Sequence, residues 1–265
     1  MNKKIGVFDS GLGGLTVLKE LYKAMPAEDF YIFGDTKNVP YGTRPGEEIE
    51  SLSYSAFKKL ENLGLKAFVI ACNTATVYSL EKISKSTDIP VVGVIEPGVM
   101  AALENDLEKV LVLATEATIR SGLIQKLLKA GKPSIEVEGI GAPKMVLAVE
   151  NGLGKSEEGR KIVYSYLDQA TIDPDGVMLS CTHFPVLQDF VVDYYKEKGK
   201  DIKIIDPAKK CAEIIKGELA KEGMLTSEKD KGKVEFFTSG DTESYKKIGN
   251  VILGDTLTID EVKNL

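Results

Sequence analysis

Two segments of the chain place a cysteine among polar residues at the close of an apolar run: AFVIACNTATV, with Cys72, Asn73 and Thr74, and GVMLSCTHFPV, with Cys181, Thr182 and His183. His183 is the only histidine in 265 residues and follows one of three cysteines by two positions. A free cysteine in a cytosolic enzyme is ordinarily a small buried hydrophobe, which suits Cys211 in KKCAEIIKGEL, on a helical pattern. Cys72 and Cys181 differ, because each stands where a strand ends and a helix begins, and a helix N-terminus lowers a thiol pKa and favours the thiolate. A lone histidine often serves as a satisfied polar residue. Two positions from a thiol, however, it can exchange a proton with that thiol or with a substrate, since it titrates near neutrality. Inverting a stereocentre by proton transfer needs a base on one face of the carbon and an acid on the other. A mirror-related cysteine pair meets that need.

The segment FDSGLGGLTVLKEL reads as a strand, a glycine-rich turn and a helix start, whose free backbone N–H groups could hold a substrate carboxylate. Gly11 and Gly13 partly imitate the dinucleotide fingerprint G-x-G-x-x-G, and Asp35 closes the next strand where a ribose-binding acid would stand. Against a nucleotide, the third glycine position is Thr16, and Asp9 and Ser10 put polar groups where such a strand stays apolar. No phosphate-binding G-x-x-x-x-G-K-[ST] occurs, and neither CxxC nor HxxxH spacing suggests a metal.

Eight short β-rich runs must position these residues: KIGVFDSG, FYIFGDT, AFVIACNT, PVVGVIEPG, KVLVLATE, GVMLSCTH, KIIDPA and VEFFTSG. Each ends in small or polar residues and precedes a helical pattern, which predicts parallel sheets with helices on both faces and a ligand beyond the strand C-termini. The polar residues gather at that edge: Asp9, Ser10, Asp35, Cys72, Asn73, Thr74, Glu96, Thr115, Cys181, Thr182 and His183. The expected architecture is two similar doubly wound α/β domains facing each other across a cleft, the first from 1–97 and 207–265 and carrying Cys72, the second from 98–206 and carrying Cys181. A net charge of −6 with both signs interspersed argues against a nucleic-acid or membrane surface. The broken apolar run at the N-terminus excludes a signal peptide. The expectation is a soluble cytoplasmic protein with reduced thiols.

The motifs IGVFDSGLGGLTV, FGDTKNVPYGTR, ACNTAT, GVIEPG, ATEATIRSG, VENG and LSCTHFP, in this order, resemble the cofactor-independent glutamate racemases of the aspartate/glutamate racemase superfamily. The resemblance runs through nearly the whole chain, and CNT with CTH, DSG and PYG carries most of it. It implies interconversion of L- and D-glutamate without pyridoxal phosphate, supplying peptidoglycan synthesis, by a homodimer needing no cofactor or metal. It further implies that Cys72 removes the α-proton of D-glutamate while Cys181 delivers one to the opposite face, with the roles reversed for L-glutamate. Asp9 is then the carboxylate beside Cys72, and His183 and Glu150 the helpers beside Cys181. Substrate contacts fall on Ser10, Tyr41, Gly42, Asn73, Thr74, Thr115, Thr118 and Thr182.

Two positions depart from the family pattern: Phe184, where Tyr is common, and Pro207, where small residues are usual. The nearest alternative activity is aspartate racemisation by a sister enzyme. From other classes, a dinucleotide-binding oxidoreductase or a catalytically silent binding protein on this fold remains open.

Overall fold

A computed structural model describes residues 3–265. Its strands are β1 (Lys4–Asp9), β2 (Phe30–Gly34), β3 (Leu65–Ile70), β4 (Val91–Gly93), β5 (Lys109–Ala114), β6 (Glu136–Gly141), β7 (Gly176–Ser180), β8 (Lys203–Ile205), β9 (Val234–Thr238) and β10 (Val262–Asn264). Among the described residues they form two sheets, ordered β10-β9-β2-β1-β3-β4 and β6-β5-β7-β8, and every pairing is parallel.

Strand side chains alternate between faces, and here both faces are covered. Ile5, Val7, Ala67 and Val69 pack on one side of the larger sheet with Leu15 and Leu18 of helix Gly14–Ala24 and Ala208, Cys211 and Ile215 of helix Pro207–Lys221. Phe8, Phe68 and Ile70 pack on the other with Ile49 and Phe57 of helix Gly46–Glu61. In the smaller sheet Leu111, Leu113, Val177 and Leu179 face one core, while Val110, Val112 and Met178 face the other. Strands buried on both sides read as continuous apolar runs, which is why β1, β3, β5 and β7 stand out in the sequence.

All eight runs form strands. Two further strands lack the apolar signal. β6, EVEGIG, lies at an edge and is mostly half-buried, and β10, VKN, is largely exposed at the opposite end of the larger sheet. The motif GVIEPG does not end in a loop, for Pro97 falls in the first turn of helix Ile95–Glu104, and Glu96 is exposed there, away from the other polar residues. Both departures from the family pattern find a local reason. Phe184 is fully buried in the smaller sheet's core. Pro207 takes the first position of its helix, where no N–H partner is needed.

The parallel topology brings the C-termini of β1 and β3 to one edge and those of β5 and β7 to another, and these edges meet. At the opposite edge a buried pair ties the sheet to its returning segment. Glu28 accepts from the Thr226 N–H at 2.7 Å and pairs with Lys66 Nζ at 2.5 Å, and Lys66 donates to the Met224 carbonyl at 2.8 Å. Removing one partner of a buried pair strands the other, so Glu28→Ala is expected to cost about 3 kcal/mol in urea unfolding.

Candidate active site

Two amides of the glycine-rich turn after β1 face a side chain of the protein itself. Asp9, fully buried, turns its carboxylate back into the turn: Oδ2 accepts from the Gly11 N–H at 2.9 Å, and the Gly14 amide adds to the field that favours its charged form. These two donors, expected for a substrate carboxylate, thus serve the protein's own carboxylate, while Ser10 of the same turn faces the cleft. Oδ1 accepts from Thr182 Oγ1 at 3.1 Å, a bond that crosses from one sheet to the other. Gly13 permits this approach, since a Cβ there would lie 2.3 Å from Thr182 Oγ1 and 2.8 Å from His183 Nδ1. Burial raises the Asp9 pKa above the ordinary carboxylate value, opposed by His183, the two amides and the Thr182 hydroxyl.

Cys72 is the N-cap of helix Asn73–Ser84 and its Sγ accepts from the Ala75 N–H at 3.4 Å. Ser10 Oγ lies 3.2 Å away. A helix N-terminus by itself would lower the thiol pKa, but the surroundings reverse the outcome. Burial first, and the Asp9 carboxylate second, push Cys72 up to about 12, outweighing the Ser10 and Ala75 hydrogen bonds.

Cys181 differs in its local frame. No α-helix begins after it; a 3-10 turn, Phe184–Leu187, precedes helix Gln188–Glu197. Its neighbour is His183, whose Nδ1 lies 3.8 Å from Sγ. Nε2 of the same ring lies 3.4 Å from Glu150 Oε1, an ion-pair distance without the alignment of a hydrogen bond. Burial disfavours the imidazolium, yet Cys181, Glu150 and Asp9 together raise the His183 pKa to about 10.

A cavity of about 170 Å³ lies between the two sheets, lined by Ser10, Cys72, Asn73, Thr74, Thr115, Cys181, Thr182 and His183 together with Tyr41 and Gly42. Drug-sized ligand sites begin at about 300 Å³, so this one suits a small metabolite. Thr118 stands behind the lining, fully buried, its hydroxyl 2.9 Å from that of Thr115 and 3.4 Å from that of Thr74. Thr74 and Thr115 are themselves 2.8 Å apart, a second polar link between the halves. Glu150 reaches His183 from outside the lining.

Tyr41 contributes its ring and backbone, since its hydroxyl donates to Asp35 Oδ2 at 2.6 Å. Asp35 also accepts from Ser239 Oγ at 2.6 Å and from Asn38 Nδ2 at 3.0 Å. Its carboxylate is therefore saturated within the protein, which removes the ribose-binding role a dinucleotide would require. The apolar mouth of the cleft, Val39, Pro40, Pro143, Val146 and Leu147, is not apparent in the sequence. Val146 and Leu147 lie on helix Pro143–Glu150, and Leu147 is half exposed. That exposure distinguishes it from core and is invisible in the helical spacing of MVLAV.

Among the described residues no cluster of three or more His, Cys, Asp or Glu could hold a metal, and no helix is long and apolar enough to cross a membrane. Residues 5–214 match the Asp/Glu/hydantoin racemase family. The glutamate racemase of Geobacter metallireducens is 38% identical over 96% of this chain and 94% of its own. Among solved structures, a glutamate racemase isoform from Bacillus anthracis superposes with a TM-score of 0.90 at 33% identity, covering 99% of this chain and 96% of that one. The glutamate racemase of Francisella tularensis, in complex with D-glutamate, gives a TM-score of 0.90 at 28% identity over 100% of this chain and 97% of that one.

Two outcomes are expected from this geometry. Gly13→Ala forces the turn and the Thr182-His183 segment apart and should cost about 1–3 kcal/mol in thermal unfolding, with a larger proportional loss of turnover. His183 has a folded pKa raised from 6.5 to about 10, so its stabilisation is complete below about pH 6.5 and is lost as pH rises towards 10. The stability difference between wild type and His183→Gln should shrink across that window in urea melts at successive pH values.

Proposed function

The chain belongs to the Asp/Glu/hydantoin racemase family, and from that premise we propose that it racemises glutamate without pyridoxal phosphate by proton transfer between two thiols. The carrying observation is that Cys72 and Cys181, from different sheets, line one small cleft. The cysteine-bearing segments thus face each other as a two-sided proton transfer requires. Binding of D-glutamate by the Francisella tularensis relative supports the same substrate here.

In this reading Cys72, as thiolate, takes the α-proton of D-glutamate while Cys181 protonates the other face, and for L-glutamate the roles reverse. A thiol held at about 12 is a strong base once ionised but is scarcely ionised at neutral pH. The substrate ammonium changes that balance. A cation within a few Å of Sγ opposes the field of Asp9 and favours the thiolate. On the other side, His183 as imidazolium favours the Cys181 thiolate and is itself held by Glu150. Asn73, Thr74, Thr115, Thr182 and Ser10 supply hydroxyl and amide groups for the two carboxylates, with Gly42 as backbone. The transition state is carbanion-like, and fixed donors in a water-poor cleft stabilise it more than bulk water would.

Discrimination against aspartate rests on cleft length. One methylene is worth only about 1–3 kcal/mol, so weak aspartate turnover is compatible with the proposal. The product D-glutamate would serve peptidoglycan synthesis, and the resemblance extends the proposal to a homodimer.

Incubation with D-glutamate in deuterated water, with no pyridoxal phosphate, should give L-glutamate carrying α-deuterium, and D-aspartate should exchange far more slowly. Absence of exchange with either acid would defeat the proposal. Cys72→Ser and Cys181→Ser should each lower turnover by at least about 100-fold. Near-normal turnover in both directions by either variant would remove the two-thiol assignment.

A further inference from the structure

A second cavity lies behind the cleft and shares its wall. It measures about 10 Å³ and is lined on one side by Asn73, Cys181 and Thr182, which also line the cleft, and on the other by the half-buried Thr16 and Asp206. Such a volume holds about one water. Its walls are apolar at Val17, Val94 and Leu179, with a few polar groups a water could bond. The Asn73 side-chain oxygen is buried without a donor among the described residues. Thr16 donates to the Thr182 carbonyl at 3.0 Å and keeps lone pairs free to accept. Asp206 caps the helix Pro207–Lys221 by accepting the Ala208 N–H at 2.9 Å through Oδ1, which leaves Oδ2 available. Asp206 is half-buried and follows directly on β8, beside β7, whose last residue immediately precedes Cys181.

We propose that this cavity is a one-water port through which the Cys181 thiol exchanges its proton with solvent, with Asp206 as the relay at its outer end. The proposal rests on the two-thiol reading above. After L-glutamate has become D-glutamate, Cys181 holds the abstracted proton and Cys72 is a thiolate. Before the next L-glutamate can react, Cys181 must lose a proton and Cys72 must gain one. In the port, the Cys181 S–H bond breaks as the water accepts its proton, the water passes a proton to the Asp206 carboxylate, and Asp206 releases it to solvent. Cys72 takes up one solvent proton through the cleft mouth, so charge is restored. Conversion of D-glutamate runs the same path backwards.

Asp206→Asn keeps a helix cap, since asparagine caps as well as aspartate, but removes the relay. Reset follows product release, so it limits kcat and not kcat/KM. The variant is expected to lower kcat about 10-fold, with KM falling in proportion and kcat/KM within 2-fold of wild type. The solvent deuterium effect should grow on kcat alone. Val17→Ile, which adds a methylene to the cavity wall without altering charge, should produce the same split. Unchanged kcat in Asp206→Asn, or equal losses in kcat and kcat/KM, would overturn the port. Failure of wild type to racemise, or full activity in Cys181→Ser, would instead overturn the reading on which it rests.

Discussion

The buried carboxylate of Asp9 is the constraint around which the site is arranged. An ionised carboxylate removed from water is costly unless hydrogen-bonded and paired. Asp9 is completely buried, and its compensation comes from two sources: the Gly11 and Gly14 amides of its own turn, and Thr182 and His183 of the other sheet's edge. Solvating this group therefore requires that the two halves meet. The same requirement excludes a side chain at Gly13, because the Thr182-His183 segment occupies the space its Cβ would need. Packing of the two sheets and electrostatics of the site are in this sense one problem.

From that charge the behaviour of its neighbours follows. Asp9 adds to burial in raising Cys72 and adds to Cys181 and Glu150 in raising His183. The two sides of the cleft are consequently unlike, although the sequence segments echo each other. One side has a thiol beside a carboxylate, capped by Ser10 and a helix end. The other has a thiol beside a cation-prone imidazole. A symmetric reaction between enantiomers does not require symmetric bases, only that each thiol can reach both protonation states within the cycle. The asymmetry places different demands on the two, with substrate charge helping Cys72 and protein charge helping Cys181.

Much of the fold was legible because central parallel strands are buried on both faces and so appear as unbroken apolar runs. β6 and β10 were not: the edge strands β4 and β8 keep short apolar runs, VVG and KII, whereas EVEGIG and VKN are interrupted by charged, polar or glycine residues. At the site, the cysteine pairs and the glycine turn were visible by type and spacing. What they would do electrostatically was not. A helix N-terminus beside Cys72 is a local feature, whereas the burial and Asp9 field that overcome it are tertiary. The Tyr41 hydroxyl likewise reads as a ligand contact until Asp35 is found 2.6 Å away. Leu147, on a helix at the cleft mouth and half exposed, carries no signal in the sequence that sets it apart.

The glycine turn shows why partial motif matches mislead at this point of an α/β fold. A strand, a glycine-rich turn and a helix N-terminus form an anion site by virtue of unpaired amides, and in a dinucleotide-binding unit the anion is a pyrophosphate. Here the anion is Asp9, the last residue of the strand itself, while Thr182 and His183 stand against Gly13 on the outer side of the turn. With the Gly11 and Gly14 amides turned to Asp9 and the space beside Gly13 filled, the turn lacks the open cradle a pyrophosphate needs. What remains of the motif's physics is the stabilisation of a negative charge at a helix start, redirected from a ligand to a side chain whose field then tunes the thiol beside it.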